Sequence, residues 1–308
     1  MCSASASPPP SVSAVVVSHN EGADLRLTVQ NLLATLPADA ELIVVDDAST
    51  DDSAGFLGAS YPTVQLLRPP ERQGVARARN FGAAAATGHV IVHLDAHVET
   101  PFGWIDAITD ELAKPGVGAV GPAVVVMGNA AARGYGFTWQ DAALTVDWLG
   151  RQDDQPYPVP MLGGFCIAMR RDLFEECGGF DHGLDGWGAE DAELSFRLWS
   201  MGFECRVLPD VAVGHQFRER LPHLKRPGAV VQNYLRLGAV HFSASALTRL
   251  VDSYRDSPYF AEAIAGLLDG DASVRRADMR ARRVRDDTWF FDRFGIGAFN
   301  GNEREVQR

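Results

Sequence analysis

The sequence predicts an α/β fold built on a mostly parallel, doubly wound central sheet, with a helical C-terminal extension. Three observations point there. Short apolar runs alternate with runs of helical period through roughly the first 90 residues, the rhythm of successive β-α-β units. Three of those apolar runs end in polar clusters, His19-Asn20-Glu21, Asp46-Asp47 and Asp95-Ala96-His97. From residue 229 to 292 the apolar residues recur at helical spacing instead.

Residues 12–17 (VSAVVV) are apolar almost throughout, as a strand buried on both faces requires. In 24–36 the apolar residues recur three and four apart until Pro37 stops the helix. Residues 41–45 (ELIVV) form the next strand, closed by Asp46-Asp47; a polar loop, a short strand at 64–67 and a helix at 77–86 ended by Gly88 follow. The run HVIVHL at 89–94 then leads into Asp95, and 116–126 offers another apolar strand. Residues 134–155 are irregular and aromatic, with Tyr135, Phe137, Trp139 and Trp148, which suits packing on the core better than a loop over a ligand. Gly163-Gly164 precedes a strand and a helix at 171–177; such a pair either admits something close to the backbone or forms an ordinary bulge. The stretch Gly186-Trp187-Gly188-Ala189-Glu190-Asp191 opens a helix through Leu198, and 211–215 is a short strand ending in His215.

Side chains alternate along an extended backbone, so Asp95 and His97 point the same way and can grip one divalent cation. A carboxylate oxygen with an imidazole nitrogen suits Mn²⁺ or a similar ion presented to a diphosphate. Ligands of such sheets bind beyond the carboxyl ends of the strands, so the three polar clusters fall on one edge and suggest a nucleotide with a metal. Asp46 and Asp47 also have the ordinary role of capping turns, and Glu190 and Asp191 that of first-turn acids. His215 either completes the metal set or is structural.

The 308 residues carry 28 Lys+Arg against 40 Asp+Glu, a net charge of −12, which excludes nucleic acid and anionic membrane as main partners. An anionic substrate then needs a bound cation or a few placed arginines. The four cysteines have no paired spacing, so neither a zinc knuckle nor a disulfide framework is indicated, and reduced thiols in a cytoplasmic protein are expected. Residues 1–11, rich in Ser, Ala and Pro, are expected to be a disordered tail and not a signal peptide. No apolar stretch approaches the roughly 20 residues of a membrane helix.

The blocks "VVVSHNE", "VDDAST", "ERQGVARAR", "ATGHVIVHLDAHVE", "GGFCIAMRRDLFEECGGFDHGLDGWGAEDAELSFRLWSMG" and "VGHQFRER" together resemble the family 2 nucleotide-sugar glycosyltransferases of the GT-A type. Within that family they are most similar to the polypeptide N-acetylgalactosaminyltransferases, and the likeness runs from about residue 12 to 295. The resemblance implies a GT-A (Rossmann-like) catalytic domain over 12–228, with 229–308 packed on it as a helical extension. It implies a UDP-sugar donor, an N-acetylhexosamine by preference, and Mn²⁺ (or Mg²⁺) held by Asp95, His97 and His215. Ser18, His19 and Asp47 would hold the uridine, Glu21 and Arg72 would sit by the donor, Arg218 would belong to a loop closing on the diphosphate, and Gly163, Gly164, Trp187 and Glu190 would border the sugar.

Two departures matter. The family has Asn where this chain has Asp191, and "GWGAED" also resembles inverting transferases in which that carboxylate deprotonates the acceptor. Inversion with Asp191 as base is therefore favoured over front-face retention. The resembling enzymes also carry an anchor, a stem and a lectin domain, so the expected acceptor is a small molecule or a carrier-protein-bound intermediate, a peptide being the alternative. The arginines from Arg275 to Arg285 form either a solvated helix face or a docking face for an acidic carrier. Tyr234, His241 and Phe242 are expected to pack in the core. A non-catalytic binding module has no need of the Glu190-Asp191 pair, and a nucleotidylyltransferase would want a glycine-rich, lysine-bearing loop that Ser18-His19-Asn20-Glu21 does not supply.

Overall fold

The computed structural model describes residues 11–218 and 227–299. Residues 1–10 of the expected tail, with Cys2, the Glu219-Arg220 end of the last motif and the end of the extension, 300–308, lie outside the described residues.

The chain opens with β1 (Val12–Ser18), α1 (Ala23–Thr35), β2 (Glu41–Asp46), α2 (Phe56–Ser60), β3 (Gln65–Leu67), α3 (Val75–Ala83) and β4 (Val90–Asp95). There follow β5 (Val98–Glu99), α4 (Trp104–Leu112), β6 (Val117–Val126), β7 (Asn129–Gly134), β8 (Phe137–Trp139), β9 (Val146–Trp148), β10 (Tyr157–Pro158), β11 (Cys166–Arg170), α5 (Arg171–Cys177), α6 (Glu190–Ser200) and β12 (Glu204–His215). Five helices finish the described chain: α7 (Pro227–His241), α8 (Ala244–Tyr254), α9 (Phe260–Asp269), α10 (Ala272–Arg282) and α11 (Asp287–Phe294). Among the described residues no helix is long and apolar enough to cross a membrane.

The main sheet runs β10-β12-β6-β11-β4-β1-β2-β3, with β5 on β12 and β7 on β6. Strands β4, β1, β2 and β3 are parallel, and so are β6 and β12; β11 enters antiparallel between β4 and β6. The register pairs Ser18 with Asp46 and Val17 with Asp95, so the three polar clusters do share one edge. They flank β1, where neighbouring strands connect in opposite directions and a crevice opens.

Alternation along the strands divides the interior in two. Ala14, Val16, Leu42, Val44, Val92 and Leu94 face Leu25, Val29 and Leu32 of α1 and Trp104 and Ile108 of α4. Val15, Ile43, Val45, Ile91 and Met169 face the opposite layer, in which α3, α5 and α6 join the C-terminal helices. Asp95 belongs to the second set by parity, so the sheet turns it toward α3 and α6.

Several elements depart from the sequence expectation. β12 is 12 residues long and not a short strand at 211–215. Pro209-Asp210 interrupts the apolar pattern, but a register shift between Leu208 and Ala212 absorbs it and lets pairing with β6 resume. α3 begins at Val75, because Gly74 at φ +79° turns the chain into it. Of the aromatic segment, Tyr135, Phe137 and Trp139 pack in the core as expected, Trp139 against Phe196, Phe242 and Phe290. Trp148 stays 37% exposed.

The arginine run is neither of its two expected faces. Arg276 donates to the carbonyls of Ala239 and Phe242, Arg283 to that of His241 at 3.5 Å, and Arg282 to that of Glu176 at 2.5 Å. The last carbonyls of α7 lack intrahelical partners and form the negative end of its dipole, so guanidinium groups are held there. Arg275 reaches Asp181 at 3.2 Å and Glu193 at 3.4 Å, while Arg280 is exposed. His241 and Phe242 are buried as expected, Nε2 of His241 donating to Glu193 at 2.9 Å.

Glu193 and Arg197 lie one turn apart on α6, both fully buried and joined at 2.8 Å. Arg197 also donates to the carbonyls of Cys177 and Gly179, each at 2.6 Å. Removing one member of a buried pair leaves a charge without compensation. Arg197→Leu should therefore lower the unfolding free energy by about 3–5 kcal/mol, seen in urea melts as a lower midpoint at unchanged slope. A midpoint close to that of the unaltered protein would show the pair to be dispensable.

Candidate active site

A cleft of about 460 Å³ opens at the carboxyl edge of the sheet. Of the residues expected at the site, His19, Glu21, Asp47, Arg72, Asp95, His97, Gly163, Gly164, Trp187, Glu190, Asp191, His215 and Arg218 all line it. Ser18 does not. Alternation along β1 sends Val17 and His19 to the cleft and turns the Ser18 hydroxyl to the other face, where it is buried; its carbonyl accepts the Asp47 N–H at 2.8 Å.

Asp95, His97 and His215 offer one ligand atom each within 4.8 Å of one another. Nε2 of His215 lies 3.3 Å, and Nε2 of His97 4.0 Å, from the same oxygen, Oδ2 of Asp95. Burial alone would raise the Asp95 pKa, but the His215 hydrogen bond and the charge of Arg79 outweigh it and bring it down to about 2. Glu21 stands behind His97, 3.2 Å from Nδ1, and also takes Arg218, which reaches Asp24 at 2.8 Å. A carboxylate on the far nitrogen fixes the tautomer and leaves Nε2 as the donor, the usual arrangement around a ligating histidine. Desolvation opposes protonation of His97, yet the Glu21 hydrogen bond and Asp95 raise its pKa on balance.

Opposite the triad sit the acids at the start of α6. Oδ2 of Asp191 accepts the Gly164 N–H at 2.9 Å, and Oε2 of Glu190 accepts the Gly188 N–H at 3.0 Å. Burial first, and the neighbouring Asp191 second, push Glu190 up to about 7; burial likewise raises Asp191, against the pull of the Gly164 N–H and Arg79. Gly163 and Gly164 are not a bulge but a close approach. A Cβ on Gly163 would lie 2.7 Å from the Phe165 ring and 2.9 Å from Trp148, and one on Gly164 3.1 Å from Arg79.

Asp46 and Asp47 both hold backbone N–H groups at the strand edge. Asp46 caps the turn at the Ser49 N–H (3.0 Å) and pairs with Arg68 (3.0 Å). Asp47, 2% exposed, binds the Gln73 N–H at 2.6 Å and the Gly74 N–H at 2.9 Å, drawing the loop before α3 to the strand edge. His19 Nδ1 contacts the Asp47 carbonyl oxygen at 2.7 Å.

Arg79, Trp148, Phe217 and Tyr234, not assigned to the site from the sequence, also line the cleft. Arg79, 1% exposed, donates to Asp95 Oδ1 at 2.8 Å and to the Gly164 carbonyl at 2.6 Å, and its other terminal nitrogen lies 3.5 Å from Glu190. Its position was legible as a charge on the buried face of α3, three residues after Ala76 and four before Ala83. Trp148 packs edge-on against Phe217 with ring centroids 6.0 Å apart at the cleft mouth. Tyr234 was expected in the core; it stacks on Tyr254 at 6.4 Å but turns toward the cleft, so α7 is part of the site.

Residues 13–178 match the model of glycosyl transferase family 2. The chain belongs to that family. Residues 151–223 also match the N-terminal domain of galactosyltransferase. Polypeptide N-acetylgalactosaminyltransferase 3 of Taeniopygia guttata is 31% identical over 320 residues, covering 92% of this chain and 50% of the relative. Polypeptide N-acetylgalactosaminyltransferase 13 of Rattus norvegicus is 31% identical over 313 residues, covering 92% of this chain and 54% of the relative. The chain thus spans about half the length of the curated relatives it matches. The crystal structure of GalNAc-T7 with UDP, GalNAc and Mn²⁺ superposes with a TM-score of 0.75 at 24% identity, over 93% of this chain and 57% of that one. A mannosyltransferase from Pyrobaculum calidifontis, in complex with GDP-Man and Mn²⁺, gives 0.54 at 21% identity, over 94% and 84%. The fold is that of the GT-A glycosyltransferases.

Asp191→Asn removes the negative neighbour that, after burial, holds Glu190 at about 7. Loss of that repulsion favours the ionised form, so Glu190 should titrate at lower pH in the variant, as followed by carboxyl ¹³C NMR. An unchanged or higher midpoint would contradict the described pairing.

Proposed function

We propose that the protein is a metal-dependent glycosyltransferase moving a sugar, an N-acetylhexosamine by preference, from a UDP-sugar to an acceptor hydroxyl or amine. The observation that carries this is the Asp95–His97–His215 set facing the Glu190–Asp191 pair across one cleft. The donor set fits a divalent cation: an ionised carboxylate, two imidazoles with Nε2 directed at the same oxygen, and a carboxylate behind His97. Two nitrogen ligands favour Mn²⁺ over Mg²⁺. The metal and the uridine nucleotide named with the GalNAc-T7 structure support the same choice. When bound, the cation would stabilise the negative charge that grows on the leaving nucleoside diphosphate.

The chain's own residues do the rest. Arg79 occupies Oδ1 of Asp95, leaving Oδ2 toward the histidines. His19 and Asp47 border the nucleoside, and Arg72 and Arg218 flank the diphosphate. The absence of side chains at Gly163 and Gly164 lets Phe165, Trp148 and Arg79 close on the backbone, and the sugar lies beside that wall, under Trp187 and next to Glu190. Asp191, ending the path from the sugar into α6, takes the proton from the attacking acceptor atom, which gives inversion at the sugar carbon. Its raised pKa means that it is protonated at low pH, so transfer should rise with pH as the acid pair loses its proton.

For the acceptor, the names of the relatives favour a polypeptide hydroxyl. The apolar wall of Trp148 and Phe217 at the cleft mouth suits an extended segment with apolar side chains. An acidic carrier has less support, because the arginines that would dock it are bound to internal carbonyls.

Release of UDP from UDP-N-acetylgalactosamine or UDP-N-acetylglucosamine should require Mn²⁺, stop on adding EDTA, and accelerate with Ser/Thr peptides. Turnover that survives chelation would refute metal dependence. Asp191→Asn should bind the UDP-sugar normally yet transfer it about 100-fold or more slowly. Near-normal transfer by that variant, with the donor's anomeric configuration kept in the product, would establish front-face retention instead.

A further inference from the structure

The loop that carries Trp187 is held in a conformation that its own residues resist. Gly186 has φ +64°, Gly188 +105° and Ala189, which is not a glycine, +70°. A side chain at Ala189 makes that left-handed geometry unfavourable, so neighbouring structure must impose it. On one side Val75 N–H donates to the Gly186 carbonyl at 2.8 Å, and the backbones of Gly74 and Gly186 meet so closely that a Cβ on Gly74 would lie 2.8 Å from Gly186. On the other side stands α7. Asn233 of α7 is 1% exposed; its Oδ1 accepts the Asp185 N–H at 2.8 Å, and its Nδ2 donates to the carbonyls of Asp185 (2.8 Å), Gly188 (3.0 Å) and Trp187 (3.3 Å).

We propose that Asn233 is a positioning residue that sets the Trp187 loop for the donor sugar, so that the protein binds a UDP-sugar by a contact that UDP alone does not use. This rests on the UDP-sugar function proposed above. The chemistry calls for an amide. One end must accept an N–H and the other must donate to several carbonyls, which neither a carboxylate nor an aliphatic side chain does. The helix is fixed at the same place: Arg236, one turn on, makes two 2.8 Å bonds to Asp181 and reaches Asp271 at 2.7 Å. Asn233 therefore meets the loop from a rigid support. The loop in turn presents Trp187, 40% exposed, to the cleft and leads directly into Glu190, whose carboxylate accepts the Gly188 N–H. His19 and Asp47, proposed above to border the nucleoside, stand at the ends of β1 and β2 and not on α7.

Calorimetry on the full chain with Mn²⁺ tests this, using UDP and UDP-N-acetylgalactosamine as the two probes. Asn233→Ala and Asn233→Asp should bind UDP within about threefold of the unaltered protein but lose about tenfold or more in affinity for the UDP-sugar. In transfer assays kcat should fall with KM for the acceptor unchanged. Equal loss for both probes, or no loss for either, would overturn the proposal, the first by making Asn233 merely structural. If Asn233→Ala does not fold, Asn233→Asp, which keeps size and the acceptor oxygen, decides; failure of both to fold also overturns it. Failure of the underlying function is read separately, on the unaltered protein, as absence of binding to either probe.

Discussion

One buried guanidinium makes this site possible. The cleft gathers Glu21, Asp95, Glu190 and Asp191 at the edge of a sheet in a chain of net charge −12, and burial opposes each charge. Arg79 answers that problem from α3, touching Asp95 and the Gly164 carbonyl with one nitrogen and lying near Glu190 with another. The acids nevertheless fall into two classes. The His215 hydrogen bond and Arg79 hold Asp95 ionised, as the proposed metal ligation requires, while burial keeps the pKa values of Glu190 and Asp191 raised against the pull of Arg79. Environments that push neighbouring carboxyl groups apart are how acid and base roles are assigned.

The same economy extends to the backbone. Asp47 draws in the loop before α3, Gly74 of that loop packs on Gly186, and Asn233 holds the far side. The sheet edge and the helix α7 that follows it thus meet at one cleft. Arg276 of α10, with Arg283 just after that helix, serves that cleft indirectly, by closing the carbonyl end of the helix that carries Asn233 and Tyr234.

What the sequence disclosed follows from the range of the interactions involved. Asp95 and His97 could be paired on paper because strand alternation is local, and the three clusters could be placed on one edge because parallel β-α-β connections are regular. His215 needed a strand end 120 residues from Asp95, and there the residues alone left its role open. Arg79 escaped because a buried charge makes sense only beside its partners. The arginine run was misread for a related reason: charge density along a helix says nothing about the free carbonyls of another. Ser18 was carried along with His19 by motif likeness, although the parity of β1 sends its side chain away. Pro209-Asp210 hid most of β12, since a bulge that absorbs three residues leaves no periodic trace.

The proposed function depends on a cation held by one carboxylate and two imidazoles. Pulsed electron paramagnetic resonance of the protein loaded with Mn²⁺ and UDP reads the ligands directly, through the nitrogen couplings of coordinated histidine. Couplings from two imidazoles are expected, one of which disappears in His97→Ala and the other in His215→Ala. A spectrum without histidine nitrogen, or one that both variants leave unaltered, would contradict the claim.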